Sequence, residues 1–166
     1  MPVAKEVKGK YFWVAVRLLI GFYFLWAFLD KVFGFGFATV PGKAWINGVS
    51  PTAGFLGHAT HGPLTSVFQS LASSNFVAWL FMIGLLLVGI TMILGILMNL
   101  SAIAGCLMLL LMWLSLIPPA NNPFLDEHWF EAIALISAAV TKAGNHIGLG
   151  KWWSKRKFVK KMPFFE

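Results

Sequence analysis

From Ala44 to Leu125 the chain carries no Asp, Glu, Lys or Arg, and from Val77 to Ile117 it is almost unbroken hydrocarbon. A helix crossing a bilayer needs about 20 apolar residues at 1.5 Å rise each, so the run from Val77 to Ile117 is too long for one span and right for two. Its only strongly polar side chain is Asn99, and Ser101 can cap a new helix by accepting a bond from a free backbone N–H. The pattern therefore predicts a tight helical hairpin, about Phe76 to Met98 and Ser101 to Ile117. Another apolar segment runs from Tyr11 to about Phe33, behind Lys5, Lys8 and Lys10. It is too long for a signal-peptide core and no small-x-small cleavage site follows it, so it is read as the first span. After Pro118-Pro119 the chain turns, and Asn122-Pro123 is the expected cap and first residue of a last helix reaching about Gly148.

Between the first span and the hairpin lies a connection of loop composition that still carries helix signals. Ser50-Pro51 reads as an N-cap followed by proline at the first helical position. Gly62-Pro63 restarts a second short helix with Leu64, Val67, Phe68 and Leu71 on one face. Both are expected to lie on or dip into the outer leaflet. The fold class expected is all-α: a four-transmembrane-helix bundle, with spans at about 11–33, 76–98, 101–117 and 123–148, and a structured extracytoplasmic loop containing short interfacial helices. One membrane domain covers residues 1–166.

Composition agrees: 58% hydrophobic and 11% charged, against about 45–50% and 25% in globular proteins. The net charge of +7 would point to nucleic acid in a soluble chain. Here the basic residues cluster beside the spans, at Lys5, Lys8, Lys10 and Arg17 and again from Lys142 to Lys161, where they act as topology signals and lipid contacts. Both termini are expected to be cytoplasmic, in a plasma membrane, and nucleic acid is excluded as a partner. The single Cys106 leaves no disulfide frame, thiol zinc site or CxxC redox pair. His58, His61, His128 and His146 fall in loops or near span ends, which argues against a bis-histidine haem. His58 and His61 at i, i+3 are a thin basis for a metal, so neither haem nor metal is expected.

The polar residues in or near the spans are the candidates for chemistry. Asp30 opposes the dipole of its helix C-terminus, so it is read either as lying at the water line beside a snorkelling Lys31 or as held by a cation such as Lys43 beside a polar cavity. Asp126 and Glu127 suit the first turn of the last helix, where capping alone explains them. His128, Glu131, Ala134, Ala138, Lys142 and Asn145 form one stripe at helical spacing, the mark of a face turned into a bundle. Glu131 is thereby expected at an internal polar site. Arg17, two turns inside the first span, is read as either snorkelling or donating to a buried acceptor such as a quinone carbonyl, with Lys142 joining it at similar depth. Gly84, Gly89 and Gly95 allow close helix contact, within one chain or in a homo-oligomer.

The polar islands Arg17-Leu18-Leu19-Ile20-Gly21, Leu29-Asp30-Lys31, Ala44-Trp45-Ile46-Asn47-Gly48, Ser50 to Leu56 and Asn122 to His128 resemble the DoxX family. Within it they are most similar to DoxD-like proteins, the large membrane subunit of thiosulfate:quinone oxidoreductase. The resemblance covers nearly the whole chain, from Arg17 to Trp153, and implies oxidation of two thiosulfates to tetrathionate on the outer face with reduction of membrane quinone. It also implies a second, smaller subunit, for which this chain has no segment. Two function classes follow. In the first, a quinone-linked oxidoreductase subunit, Lys43, Trp45, Asn47, Ser50, His58 and His61 form an outer vestibule for a dianion. Asp30, His128 and Glu131 then serve as catalytic groups, and Arg17 and Lys142 bind quinone. The second is a non-enzymatic membrane scaffold or small-solute permease, whose Asp30 and Glu131 hold an internal polar cavity together.

Overall fold

The computed structural model describes residues 2–165, with side chains from residue 9 onward. The side chains of Lys5 and Lys8, which enter the charge argument above, lie outside the described residues. The described chain is all helix and turn. Helix α1 runs Pro2–Phe33, α2 Thr65–Ser70, α3 Asn75–Leu94, α4 Met98–Ser115, α5 Glu127–Val140, α6 Gly150–Trp153 and α7 Lys157–Lys161. Short 3-10 or π turns cover Trp45–Asn47, Phe55–Ala59, Ala143–Asn145 and Pro163–Phe165.

Three helices are long and apolar enough to cross a membrane: Gly9–Phe33, Asn75–Leu94 and Met98–Ser115. At 1.5 Å per residue they rise about 38, 30 and 27 Å, against a hydrocarbon core of about 30 Å. Helix α5 has 14 residues and rises about 21 Å, so it does not reach from 123 to 148 as the sequence predicts. It starts four residues later, because Asn122 Oδ1 instead closes a turn by accepting from the amides of Phe124 and Leu125 at 2.9 and 2.8 Å. Asp126 is its actual N-cap, accepting from His128 N at 3.1 Å. It stops at Thr141, where Lys142 turns left-handed at φ 49°.

The four long helices pack in a closed cycle, α1 on α3, α3 on α4, α4 on α5 and α5 back on α1. Met82, Met92, Leu135 and Ala138 are fully buried at its centre, while Leu19, Phe76, Ile103 and Leu107 face outward, as an exterior solvated by lipid requires. Glycine sets how closely the members approach. A Cβ at Gly89 would stand 2.7 Å from the backbone of Leu25, and one at Gly84 2.5 Å from Met108 Sδ. The small residues of α3 thus serve contacts inside the chain.

The break in the hairpin falls at Gly95-Ile96-Leu97, three residues before the predicted Met98. Gly95 closes α3 with φ 74°, and the amides of Gly95 and Ile96 both donate to Thr91 O, an ending that glycine adopts without Cβ strain. Ser101 does not cap α4. It is buried in its first turn and hydrogen-bonds Thr91 across the hairpin. In the long connection, Ser50 Oγ accepts from Ala53 N at 3.3 Å as a cap should, and α2 forms where Leu64 to Leu71 predict it.

Candidate functional site: two aromatic-lined cavities at the Asp30 end of the bundle

Midway along α1, at the end of the bundle where α3 stops, Arg17 is fully buried. Its terminal nitrogens donate to the carbonyls of Met92, Ile93 (2.9 Å) and Ile147 (2.7 Å). The last carbonyls of a helix have no partner within it, and here each has one from elsewhere. Thr91 O takes Gly95 N and Ile96 N, Met92 O and Ile93 O take Arg17, and Leu94 O takes Leu149 N at 2.8 Å. A cation at a helix C-terminus also opposes the negative end of its dipole. Arg17 is therefore a tie between α3 and the turn after α5, its terminal nitrogens given to backbone carbonyls in place of the ligand carbonyl the sequence suggests. Lys142, its expected partner, is exposed and borders a cavity of about 30 Å³ with Gly95, Asn99 and Asn145. Such a space holds about one water.

At the other end Asp30 is 1% exposed, and it is held by backbone, not by Lys43. Oδ1 accepts from Phe35 N (3.2 Å) and Phe37 N (3.4 Å), and Oδ2 from Thr39 N (2.7 Å). A carboxylate bonded to several amides offsets its unfavourable place at a helix C-terminus. These bonds fold the chain back after α1, and Asp30 is not among the residues lining the cavities described here. Trp45 packs edge to face on Trp79 of α3, with centroids 4.5 Å apart. Lys43, Asn47 and His58 are exposed and border none of the cavities described here. His61 is exposed too, but both ring nitrogens meet carbonyls: Nδ1 lies 3.2 Å from Ala59 O and Nε2 3.0 Å from Pro118 O. Those contacts push its pKa up, Pro118 contributing most. The vestibule expected from these residues is thus not assembled as one site. Among the described residues no three His, Cys, Asp or Glu side chains gather so as to hold a metal.

His128 and Glu131 do come together, on the first two turns of α5. His128 is 6% exposed, with Nδ1 2.8 Å from Asp126 Oδ2. One carboxylate therefore both caps the helix and orients the imidazole. Glu131 faces α1, where Tyr23 is its neighbour, and it lies near His128 on its own helix. The predicted inward stripe holds as far as Ala138, which is fully buried.

Beside His128 opens a cavity of about 290 Å³ between α4 and α5, near the lower end of the range of about 300–1,000 Å³ for small-molecule sites. Trp113, Trp129, Cys106, Leu109 and Ile136 line it with His128. Trp113 is fixed by Nε1 donating to Phe124 O at 2.8 Å and meets Trp129 edge to face at 5.3 Å. Trp129 Nε1 is buried without a partner, and His128 Nε2 has none among the described hydrogen bonds. A buried donor without a partner is rare in a folded protein, and Trp129, whose side chain helps to line this cavity, carries one. Sequence reasoning missed Tyr23, Trp113 and Trp129; the available signal was Asp126-Glu127-His128-Trp129, a capping acid two residues before an imidazole and adjoining an indole. A second cavity, of about 260 Å³, lies between α3, α4 and the long connection. No known family model, curated protein or solved structure matches the chain.

Proposed function

We propose that the chain is the membrane subunit of a quinone-linked oxidoreductase, with quinone seated in the cavity between α4 and α5. The observation that carries this reading is the Asp126–His128 pair beside that cavity. Asp126 fixes the Nδ1 proton, leaving Nε2 to take up a proton and, once it carries one, to donate it to a carbonyl. A quinone supplies acceptance of two electrons and two protons. His128 would hold its carbonyl and deliver one proton, with the Glu131 and Tyr23 pair as the next proton-bearing groups. The DoxX resemblance supplies the donor: two thiosulfates give one tetrathionate and two electrons, which balances the quinone. In this reading α5 with its flanking turns completes a fourth crossing and both termini are cytoplasmic, in the plasma membrane of a prokaryote. A small second subunit brings the donor chemistry.

A second reading, a non-enzymatic DoxX-type scaffold or small-solute permease, is favoured by Arg17 and Asp30, both of which serve backbone groups only. Lipid extraction and quinone reduction with thiosulfate on the purified protein separate the two. Co-purified quinone, with turnover lowered in His128→Gln, supports the first. A bare protein that carries solute into vesicles supports the second and rejects the first.

A further inference from the structure

The 260 Å³ cavity is separate from the one beside His128 and has a different chemistry. Its walls are Leu80 and Phe81 of α3 and Met108 and Leu111 of α4, and the turn from Pro51 to Leu56 and α2 close it from above. Among its lining residues only Lys31 is charged. Lys31 makes no ion pair or hydrogen bond with any described residue. The adjacent carboxylate of Asp30 acts on it only through space, and both its oxygens are already bonded to the amides of 35, 37 and 39. The two hydroxyls at the rim are also engaged. Ser115 Oγ donates to Met112 O at 2.6 Å, and Thr52 Oγ1 lies 3.4 Å from Ser50 Oγ.

A lone ammonium on an apolar wall at the end of a span is costly unless an anion meets it. A small hydrated dianion would lose its water against the remaining walls with only one cation in return. A neutral hydrocarbon would leave Lys31 unmet. We infer that this cavity binds one alkyl chain ending in an anionic oxygen group, a fatty-acid carboxylate or a lipid phosphate, with the head at Lys31 and the chain between α3 and α4. The volume, below that of most small-molecule sites, admits a single chain.

Photolabelling of the full-length protein in detergent tests this, using palmitic acid with a mid-chain diazirine and peptide mapping. Label is expected on the stretches around Leu80-Phe81 or Leu111-Met112. Unlabelled palmitate should displace it at least about tenfold better than hexadecanol. Lys31→Met should erase that preference and Lys31→Arg keep it, with thermal melts showing both variants folded. Leu111→Trp, which fills the cavity, should lose label while the protein stays monodisperse. Competition by phosphatidylglycerol as well as palmitate assigns the membrane's own lipid, and competition by palmitate alone a free fatty acid. Label elsewhere, equal competition by hexadecanol, an unchanged Lys31→Met or a labelled Leu111→Trp each overturns the inference. His128→Gln, which tests the quinone site, should leave the label unchanged, so the two readings fail separately.

Discussion

Helix α1 buries two ionisable side chains, Arg17 midway along it and Asp30 near its C-terminus, and both are bonded to backbone, yet the two ends of the bundle where they lie differ in what surrounds them. Around Arg17 the chain closes on itself. A Cβ at Gly144 would stand 2.2 Å from Gly95 O, and the cavity beside it measures about 30 Å³. Around Asp30 the carboxylate folds a loop, and two cavities of about 260 and 290 Å³ remain. The difference lies in the neighbours. Glycine against glycine lets backbones touch, whereas Trp113, Trp129 and the turn above α3 hold helices apart. Unpartnered donors occur at both ends, as Arg17 Nε and Trp129 Nε1, but of the two residues only Trp129 helps to line a cavity of ligand size. Buried charge alone therefore does not mark a cavity in this fold.

The largest effect is expected at the closed end. Arg17→Met removes the donors of three carbonyls, Met92, Ile93 and Ile147. Each buried polar group left unpaired costs about 1–3 kcal/mol, so the loss should be about 3 kcal/mol or more, seen as a large drop in thermal midpoint in detergent. Gly144→Ala should be comparably harmful. A midpoint unchanged in both would dismiss the picture of a backbone tie.

At the open end the counterpart is loss of activity in a folded protein. His128→Gln should lower quinone reduction about 10²-fold, the low end of a general acid's contribution. Trp129→Phe removes one N–H and should cost about 1 kcal/mol of binding, read as a raised KM for quinone with kcat nearly kept. Equal falls in thermal midpoint, with no kinetic change, would make this end as structural as the other.

Asp30→Asn sits between these cases, keeping one acceptor oxygen in place of two. About 1–2 kcal/mol should be lost, confined to the fold-back after α1. Hydrogen exchange at Phe35, Phe37 and Thr39 should speed up while the amides of α3 stay protected. Uniform deprotection of the bundle would show instead that Asp30 supports the whole fold.

The helices were legible because hydrocarbon runs of these lengths have few other outcomes, and the short connection helices because Ser50-Pro51 and Gly62-Pro63 are local signals. The hairpin break was displaced because Asn99 and Ser101 drew the reading towards polarity, while the terminator is Gly95, whose role depends on φ. Arg17 and Asp30 were visible as buried charges, but not their partners. The carbonyls that Arg17 serves lie 75, 76 and 130 residues away and carry no side-chain signature. The cavities were not legible, since each depends on which faces of α3, α4 and α5 meet.

The smallest effect concerns how the open end is fastened to α4. The His61 amide donates to Ser115 O at 3.1 Å, and its ring lies between the carbonyls of Pro118 and Ala59. A neutral imidazole donates from one nitrogen only, so one of these contacts is satisfied only when the ring is protonated. The pKa of His61 in the folded state is accordingly raised above its ordinary value of about 6.5. A raised folded-state value means that the stabilisation is fully present below about pH 6.5. It disappears as pH climbs through the folded-state value. The ring is exposed and screened, so the effect is local: exchange at the amides of His61 and Thr65 should quicken across that window beyond the ordinary base-catalysed trend. His61→Gln should show the trend alone. If wild type and His61→Gln follow one curve, the ring does not fasten the connection to α4. The shape of the open end would then rest on packing around Gly62, where a Cβ would come 1.7 Å from Ile117 O.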